Sequence, residues 1–232
     1  MLDDHLFKID LERWIVKIFT PKGRLEFKLL HGKYHGKFKE WKAGQAWLIR
    51  RNDEVYLNVV FSRDVEIREC EDVIGVDVNE NNITIATNQF IRFETKEKEI
   101  RTAYFVKRRK IQKKIKCKRA RNRALAKYRK RERNRVLDIY HKIANKIIKI
   151  ALETNSAIAL EDLKNIRSKI DYSPELNGRL HRWSFRTFQQ ILEYKAKLNG
   201  IPVVYVNPPQ DLDPVPDMWG KINPEWVQGS AL

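Results

Sequence analysis

The sequence predicts an α/β fold preceded by a small antiparallel β-domain. Three observations lead to this prediction. Residues 1–66 contain strand-like runs separated by turns and no long helical pattern. From residue 73 onward, short apolar runs of strand length recur. Between them lie longer stretches whose apolar residues repeat every three or four positions. Strands that alternate with helical patterns are typical of a sheet covered by helices.

Net charge and cysteine content limit the class of protein. The chain of 232 residues has a formal net charge of +17 and a pI near 9.9, so an anionic polymer is the first partner to expect. Cys70 and Cys117 form no CxxC pair, which indicates a reducing compartment, and we expect a cytoplasmic protein. Neither a membrane span nor a signal peptide is expected from the apolar runs.

Residues 1–66 form the predicted antiparallel β-domain. Leu6–Phe19 is an apolar, strand-like run, and Leu25–Leu29 alternates as a half-buried strand does. His31–Gly44 is polar and predicts a loop or a short helix. A hairpin follows between residues 46 and 61. Together these elements favour a partial barrel.

The second domain is predicted at 67–209 and opens with three antiparallel strands. The first, Val73–Val78, is apolar at nearly every position, as a strand buried on both faces is. The next two lie at 83–87 and 90–94. Asp77 interrupts the first strand, where a carboxylate is costly to bury without a cation or a donor. The alternative is an aspartate that caps the following turn through its own backbone.

The basic segment, Lys107–Arg135, holds 17 Lys and Arg residues and one acid, Glu132. It has no Pro or Gly, and an apolar stripe continues at 136–150, so one long helix or a hairpin of two is predicted within a helical insert at 101–151. Such a block is often a solvated face. Repulsion among this many cations favours contact with a polyanion instead, and Tyr128 can add base stacking. The candidate nucleic-acid-binding residues are Lys107, Arg108, Arg109, Lys110, Lys113, Lys114, Lys118, Arg119, Arg121, Arg123, Lys127, Arg129 and Lys130.

A further carboxylate follows a second buried-strand pattern. Ala157–Leu163 is a short apolar run that ends in acids, as a buried strand leading into a site does. Glu161 is the candidate residue. In the alternative interpretation, Glu161 or Asp162 begins a helix and interacts with its N-terminal dipole.

The remaining elements complete the predicted domain. A loop around Ser173–Pro174 precedes an amphipathic helix from Trp183 to Leu198, which Gly200 ends. A last short strand is predicted at 203–206. Residues 210–232 are rich in Pro and Asp and predict an irregular tail.

This order of elements resembles the ribonuclease H-like fold of the RuvC type. In that fold the first and fourth strands are parallel neighbours, which brings Asp77 and Glu161 together as the expected catalytic and metal-binding pair. Two close carboxylates repel each other, and a divalent cation relieves the repulsion. The resemblance therefore implies a phosphodiester-cleaving site that uses Mg²⁺ or Mn²⁺.

The motifs are similar to those of the TnpB family over about residues 55–209. They are Gly75-Val76-Asp77, Leu160-Glu161-Asp162-Leu163, and the stretch from Trp183-Ser184-Phe185 through Gly200-Ile201-Pro202-Val203 to Val206-Asn207-Pro208. TnpB proteins are encoded by transposable elements beside transposases and are akin to the type V CRISPR effectors. The resemblance implies a guide RNA, a DNA target and RuvC-type cleavage, with residues 1–66 similar to the family's wedge β-domain.

The chain departs from the family pattern after the last strand. The family has a zinc ribbon that begins Cys-Pro-x-Cys-Gly, whereas this chain has neither cysteine there, so no zinc is expected. The family's third catalytic aspartate follows that ribbon and has no recognisable counterpart, although Asp211, Asp213 and Asp217 lie nearby. We expect a truncated or degenerate member that binds Mg²⁺ or Mn²⁺ weakly or not at all and does not cleave DNA by itself.

Three functions stay open from the sequence. The first is an RNA-guided nuclease, and the second is a nucleic-acid-binding remnant without catalysis. The third is a basic RNA- or DNA-binding structural protein in which Asp77 and Glu161 are ordinary polar residues. Convergence of the two carboxylates on neighbouring strands disfavours the third function.

Overall fold

The computed structural model describes residues 2, 3, 5–163 and 173–207. It divides into two compact units, Met1–Asp64 and Val65–Leu232, whereas the sequence placed the boundary after residue 66. The predicted tail at 210–232, with Asp211, Asp213 and Asp217, lies outside the described residues. Within the described part of the chain, no helix is long and apolar enough to cross a membrane.

The first unit contains five strands and a short helix. Strands β1, β2 and β3 form an antiparallel sheet, a 3₁₀-helix follows, and β4 and β5 form a hairpin. The bounds are Phe7–Asp10 for β1, Ile15–Thr20 for β2, Gly23–Lys28 for β3, Lys33–Phe38 for the 3₁₀-helix, Lys42–Arg51 for β4 and Glu54–Ser62 for β5. Its small core contains Phe7, Val16, Ile18 and Ala46.

The apolar run Leu6–Phe19 is two strands rather than one. Its turn is organised by Asp10, whose carboxylate accepts hydrogen bonds from the backbone N–H groups of Glu12 and Arg13, at 2.9 Å each. Trp14 has a φ of 56°, a left-handed conformation that closes the turn. An aspartate that bonds to its own backbone two and three residues on is a turn signal, and the apolar composition of the run masked it.

The second unit is built on a five-stranded sheet. Strands β6 (Asp72–Val78), β7 (Asn82–Ala86) and β8 (Phe90–Glu94) are antiparallel neighbours. Strands β9 (Ser156–Glu161) and β10 (Val203–Val206) add on parallel to β6, which gives the order β10-β9-β6-β7-β8. The mixed α/β class predicted from the sequence is confirmed.

The described residues of this unit form four helices: α1 (Glu97–Lys114), α2 (Lys118–Glu153), α3 (Pro174–Arg182) and α4 (Phe185–Leu198). The basic segment is therefore a hairpin of two helices, which is one of the two predicted alternatives. Residues 115–117 leave the helical conformation without any Pro or Gly.

Helix α3 corrects the predicted loop around Ser173–Pro174. Pro174 is the first helical residue, a position where its missing N–H costs nothing. The Ser173 hydroxyl accepts a weak hydrogen bond from the Leu176 N–H at 3.4 Å, as an N-terminal cap does.

The core of the second unit lies where α2 and α4 cover the sheet. The predicted stripe of α2 is buried at Val136, Tyr140, Ile143 and Ile147, whereas its basic N-terminal part is mostly exposed. Ile158 and Leu160 of β9 are fully buried and belong to the same core, together with Phe188 and Leu192 of α4. This packing fixes β9, and with it Glu161, against β6.

Gly200 ends α4 as the sequence predicts, in a left-handed conformation with φ of 71°. A Cβ atom at this position would lie 2.3 Å from the carbonyl oxygen of Glu66. The Gly200 carbonyl accepts a hydrogen bond from the Arg68 N–H at 2.8 Å, which joins the segment before β6 to the end of α4. No larger residue fits there without a shift of the backbone.

Candidate functional site

The register of β6 and β9 brings Asp77 and Glu161 to neighbouring positions. The two strands are parallel, and Val76 is the register partner of Leu160, so the two acids come next on their respective strands. Neighbouring strands lie about 4.8 Å apart, and successive side chains alternate between the faces of a sheet. Val76 and Leu160 point into the core, so Asp77 and Glu161 lie together on the opposite face of the sheet.

The two carboxylates influence each other electrostatically. The pKa of Glu161 is raised, first because burial disfavours its charged form and second because the negative charge of Asp77 repels it. Asp77 is exposed, and its Oδ2 accepts a hydrogen bond from the side-chain Nδ2 of Asn79 at 2.6 Å. Asp77 thus bonds to a side chain, whereas the alternative interpretation expected it to cap a turn through its backbone.

Gln189 of α4 holds the end of β9 in place and was not singled out from the sequence. It is fully buried and donates a hydrogen bond from Nε2 to the backbone carbonyl oxygen of Glu161, at 2.8 Å. On the other side, the Asp162 N–H donates to the Val206 carbonyl at 2.7 Å. The available signal was helical spacing, because Gln189 lies four residues after Phe185 and three before Leu192, on the apolar stripe of the helix. A polar residue on that stripe predicts a buried group with a specific partner.

The donor set of this pair suits a hard divalent cation. Carboxylate oxygens are the ligands that Mg²⁺ and Mn²⁺ prefer, and such an ion would neutralise the repulsion between Asp77 and Glu161. Among the described residues, no group of three or more His, Cys, Asp or Glu side chains is placed to hold a metal. The two acids alone would leave most coordination positions to water or to a phosphate oxygen.

The thirteen candidate nucleic-acid-binding residues all lie on the hairpin of α1 and α2. Those from Lys107 to Lys114 belong to α1, and those from Lys118 to Lys130 belong to α2. All are exposed except Arg108 and Arg121, which are partly buried. The hairpin therefore presents a dense array of cations to solvent, which is the electrostatic footprint of a polyanion-binding surface.

Tyr128 is already in contact with cations from both helices. The Lys107 ammonium lies 4.7 Å from the centre of its ring, and the Arg131 guanidinium lies 5.7 Å from it. These cation–π contacts help to hold α1 beside α2.

The hairpin is anchored by a buried ionic network around the single acid of the basic segment. Glu132 is 5% exposed and accepts hydrogen bonds from Arg108 and from Arg101, the latter at 3.4 Å. Arg101 also contacts the buried Glu97, to which Tyr140 donates as well. A buried charge is tolerated only when it is paired in this way.

Ser184, just before α4, completes this network. Its backbone N–H and its hydroxyl donate to the Glu97 carboxylate at 3.1 and 3.0 Å. The network therefore joins α1, α2 and the start of α4. The sequence signal was Glu132 itself, because one acid among so many cations predicts a specific partner.

Comparison with known proteins identifies relatives of this chain by sequence and by structure. No family model matches it. A TnpB-like protein of Methanocaldococcus jannaschii is 34% identical over 236 aligned residues, which cover 94% of this chain and 83% of that protein. The CRISPR-associated endodeoxyribonuclease Cas12f2 of a Micrarchaeota archaeon is 28% identical over 184 residues, or 70% of this chain. The chain spans about a third of that longer protein, since the match covers 33% of Cas12f2.

Among solved structures, a complex of Cas12f1 with sgRNA and target DNA is similar over 69% of this chain and 41% of that chain. Its TM-score is 0.44 and its sequence identity 18%. The match to the Methanocaldococcus jannaschii protein extends along nearly the whole chain and includes the strands that carry Asp77 and Glu161. The chain belongs to the TnpB-like family.

Proposed function

We propose that this chain is a nucleic-acid-binding protein of the RNA-guided DNA endonuclease kind. In this proposal, guide RNA and DNA bind to the cationic hairpin of α1 and α2, and Asp77 and Glu161 hold one Mg²⁺ or Mn²⁺ ion beside the nucleic-acid backbone. The single observation that carries the proposal is the register of β6 and β9, which makes the two acids neighbours. Membership of the TnpB-like family and the endodeoxyribonuclease activity named for Cas12f2 agree with it.

The topology of the sheet supports the finer assignment to the RuvC-type ribonuclease H-like fold. Three antiparallel strands are followed by two that add on parallel to the first, with α1 and α2 inserted before the fourth strand. The acids then lie in the first and at the end of the fourth strand, where the resemblance to that fold expects them. This is a proposal about fold type and rests on strand order and direction.

The proposal includes an expectation about catalysis. A two-metal mechanism uses two ions about 3.5–4 Å apart that stabilise the attacking and the leaving oxygen. Two carboxylates can hold one ion with water in its other positions, and a second ion needs at least one more ligand. We therefore expect the purified chain to bind nucleic acid without cleaving DNA by itself. The fragments of sequence that hold Asp211, Asp213 and Asp217 are the first places to search for a further ligand.

The alternative is a basic RNA- or DNA-binding structural protein. It is favoured by one specific observation, which is that the cationic hairpin is anchored through Glu97 and Glu132 and not through Asp77 or Glu161. The binding surface would then function without any metal. The two functions differ in whether a divalent cation binds at the acid pair.

The binding part of the proposal is tested with the full chain and fluorescently labelled RNA and DNA. Fluorescence anisotropy across a range of salt concentrations measures affinity and its dependence on salt. The proposal expects affinity to fall steeply with salt, because each neutralised phosphate releases counterions. Absence of binding at low salt, or binding that is insensitive to salt, would exclude the cationic hairpin as a nucleic-acid-binding surface.

A further inference from the structure

A cleft of about 800 Å³ lies between α1, α2 and the junction of α3 with α4. Six guanidinium groups from three helices line it, and none of the lysines in the described part of the chain does, although lysines make up almost half of the cations in the basic segment. The six residues are Arg101, Arg108, Arg109, Arg129, Arg133 and Arg182. Arginine presents a planar fork of donors that matches a phosphate group, whereas lysine presents a hydrated point charge.

Only part of this charge is neutralised inside the protein. Among the described residues, Glu132 is the one acid that lines the cleft, and its carboxylate accepts hydrogen bonds from Arg101 and Arg108. The other four guanidinium groups form no ion pair with any described acid. The buried Glu132 thus fixes two arginines in the floor of the cleft, and the other four are left to an external anion.

Phe105 positions two of these four arginines. The Arg182 guanidinium of α3 lies 4.7 Å from the centre of its ring, and the Arg109 guanidinium of α1 lies 5.2 Å from it. The ring brings cations from two helices to one rim of the cleft. Arg129 and Arg133 of α2 are one helical turn apart and therefore lie on the same face of that helix.

The wall and the volume of the cleft restrict what can enter. Leu125, Ala126 and Leu137 give one side an apolar surface. A volume of about 800 Å³ is in the range of sites that hold a small molecule, so the cleft can enclose a few nucleotides of one strand but cannot enclose a duplex. A single strand presents separate phosphates together with unstacked bases, and so combines the anionic and apolar groups that this lining can bind.

We propose that this arginine-lined cleft binds a single strand of nucleic acid, with its phosphates on Arg109, Arg129, Arg133 and Arg182 and a base against the apolar wall. This inference rests on the proposed nucleic-acid-binding function and deepens it. In this proposal the cationic hairpin has two binding sites. Its outer surface can bind a duplex, whereas the inner cleft encloses a single strand only.

The test compares two charge-matched double variants of the full chain. Arg129→Gln with Arg133→Gln removes two cations that line the cleft. Arg135→Gln with Lys142→Gln removes two exposed cations of the same helix that do not line the cleft. A third variant, Ala126→Trp, fills the cleft without changing charge. Each is measured by anisotropy with labelled oligodeoxythymidine, oligouridine and a DNA duplex of equal length.

The cleft variant should lose about a hundredfold in affinity for single strands, about tenfold for each of two lost charge-assisted hydrogen bonds. Its salt slope should fall in magnitude by about 1.4, as expected for two phosphate contacts on a single strand. The control variant should reduce the affinity for single strands, and the salt slope of that affinity, less than the cleft variant does. Ala126→Trp should weaken single-strand binding and retain duplex binding. Losses on oligodeoxythymidine, on oligouridine or on both identify which strand chemistry occupies the cleft.

The inference is overturned if the two double variants weaken single strands equally and Ala126→Trp binds them as the unmodified chain does. It is also overturned if the unmodified chain binds duplex and no single strand, an outcome that leaves the proposed function standing. Failure of the unmodified chain to bind any nucleic acid would instead refute the proposed function itself. Circular dichroism of each variant verifies that it is folded.

Discussion

Glu161 has a raised pKa because burial disfavours its charged form and because the Asp77 carboxylate lies on the neighbouring strand. Strand β6 places Asp77 there, and the Gln189 side chain fixes the backbone of Glu161. Two acids held together in this way destabilise the folded chain unless something neutralises them. In the proposed function, the pair therefore links the stability of the folded chain to metal binding.

Glu161→Gln should raise the midpoint of thermal unfolding at neutral pH in metal-free buffer. A raised pKa means that the folded state binds the Glu161 proton more tightly than the unfolded state does. The penalty of ionisation is therefore absent below the unfolded pKa and is fully present above the raised folded pKa. The stabilising effect of the substitution should disappear as the pH is lowered into the acidic range where Glu161 is protonated.

Asp72→Asn is the matched control for this measurement, since Asp72 is an exposed acid at the other end of β6. It should leave the unfolding midpoint close to that of the unmodified chain. Differential scanning calorimetry over a series of pH values measures both effects. An unfolding midpoint that does not respond to Glu161→Gln at neutral pH would show that the two carboxylates do not repel each other.

Divalent cations should remove the destabilisation that ionised Asp77 and Glu161 cause. Mn²⁺ or Mg²⁺ that binds between Asp77 and Glu161 stabilises the folded chain by mass action. The unfolding midpoint of the unmodified chain should rise with Mn²⁺ concentration, and Asp77→Asn should abolish the rise. An equal rise in both proteins would place the ion elsewhere and would favour the metal-free structural alternative.

The cationic hairpin should dominate the salt dependence of nucleic-acid binding. Replacement of Arg119, Arg121, Arg123 and Lys127 with Gln removes four exposed or partly exposed cations of α2. If each contacts one phosphate, the slope of log affinity against log salt should fall in magnitude by about 2.8–3.6. Anisotropy titrations at several salt concentrations measure the slope.

The control removes the same charge from the first unit. Lys8, Lys22, Arg24 and Lys28 are exposed there, and their replacement with Gln lowers the net charge of the chain equally. The slope should change less than it does in the α2 variant. Equal changes in the two variants would show that net charge alone controls binding, without a localised surface.

Glu132→Gln should destabilise the chain by about 3–5 kcal/mol, the cost of breaking a buried ion pair from one side. The substitution leaves the partly buried Arg101 and Arg108 without their carboxylate. Glu99→Gln removes an exposed acid of α1 and is the matched control. Urea denaturation measures both, and a similar loss in the two variants would show that the Glu132 network does not anchor the hairpin.

The sequence predicts the parts of this fold that depend on local periodicity. The apolar runs at β6 and β9 and the stripe along α2 identify their elements, because burial on one or both faces imposes a pattern on the residues. The order of elements and the motifs around Asp77 and Glu161 also predict the family, which the comparison with the Methanocaldococcus jannaschii protein confirms.

Other features could not be predicted because they depend on contacts between distant residues. Arg101 and Glu132 meet only when α1 folds back on α2, and the break at 115–117 that allows it contains no Pro or Gly. Gln189 meets the Glu161 backbone across 28 positions of the chain. The arginine cleft needs residues from α1, α2 and α3, so the outer cations and the lining cations look alike in the sequence.

The most direct measurement of the central claim is a cleavage assay on single-stranded DNA with Mn²⁺, with and without RNA, beside Asp77→Ala. We propose that the chain binds nucleic acid, that Asp77 and Glu161 bind one divalent ion, and that the described residues offer no ligand set for a second ion. The expected result is intact DNA with both proteins while binding persists. DNA cleavage by the unmodified chain that disappears in Asp77→Ala would contradict the account and show that the acid pair belongs to a complete nuclease site.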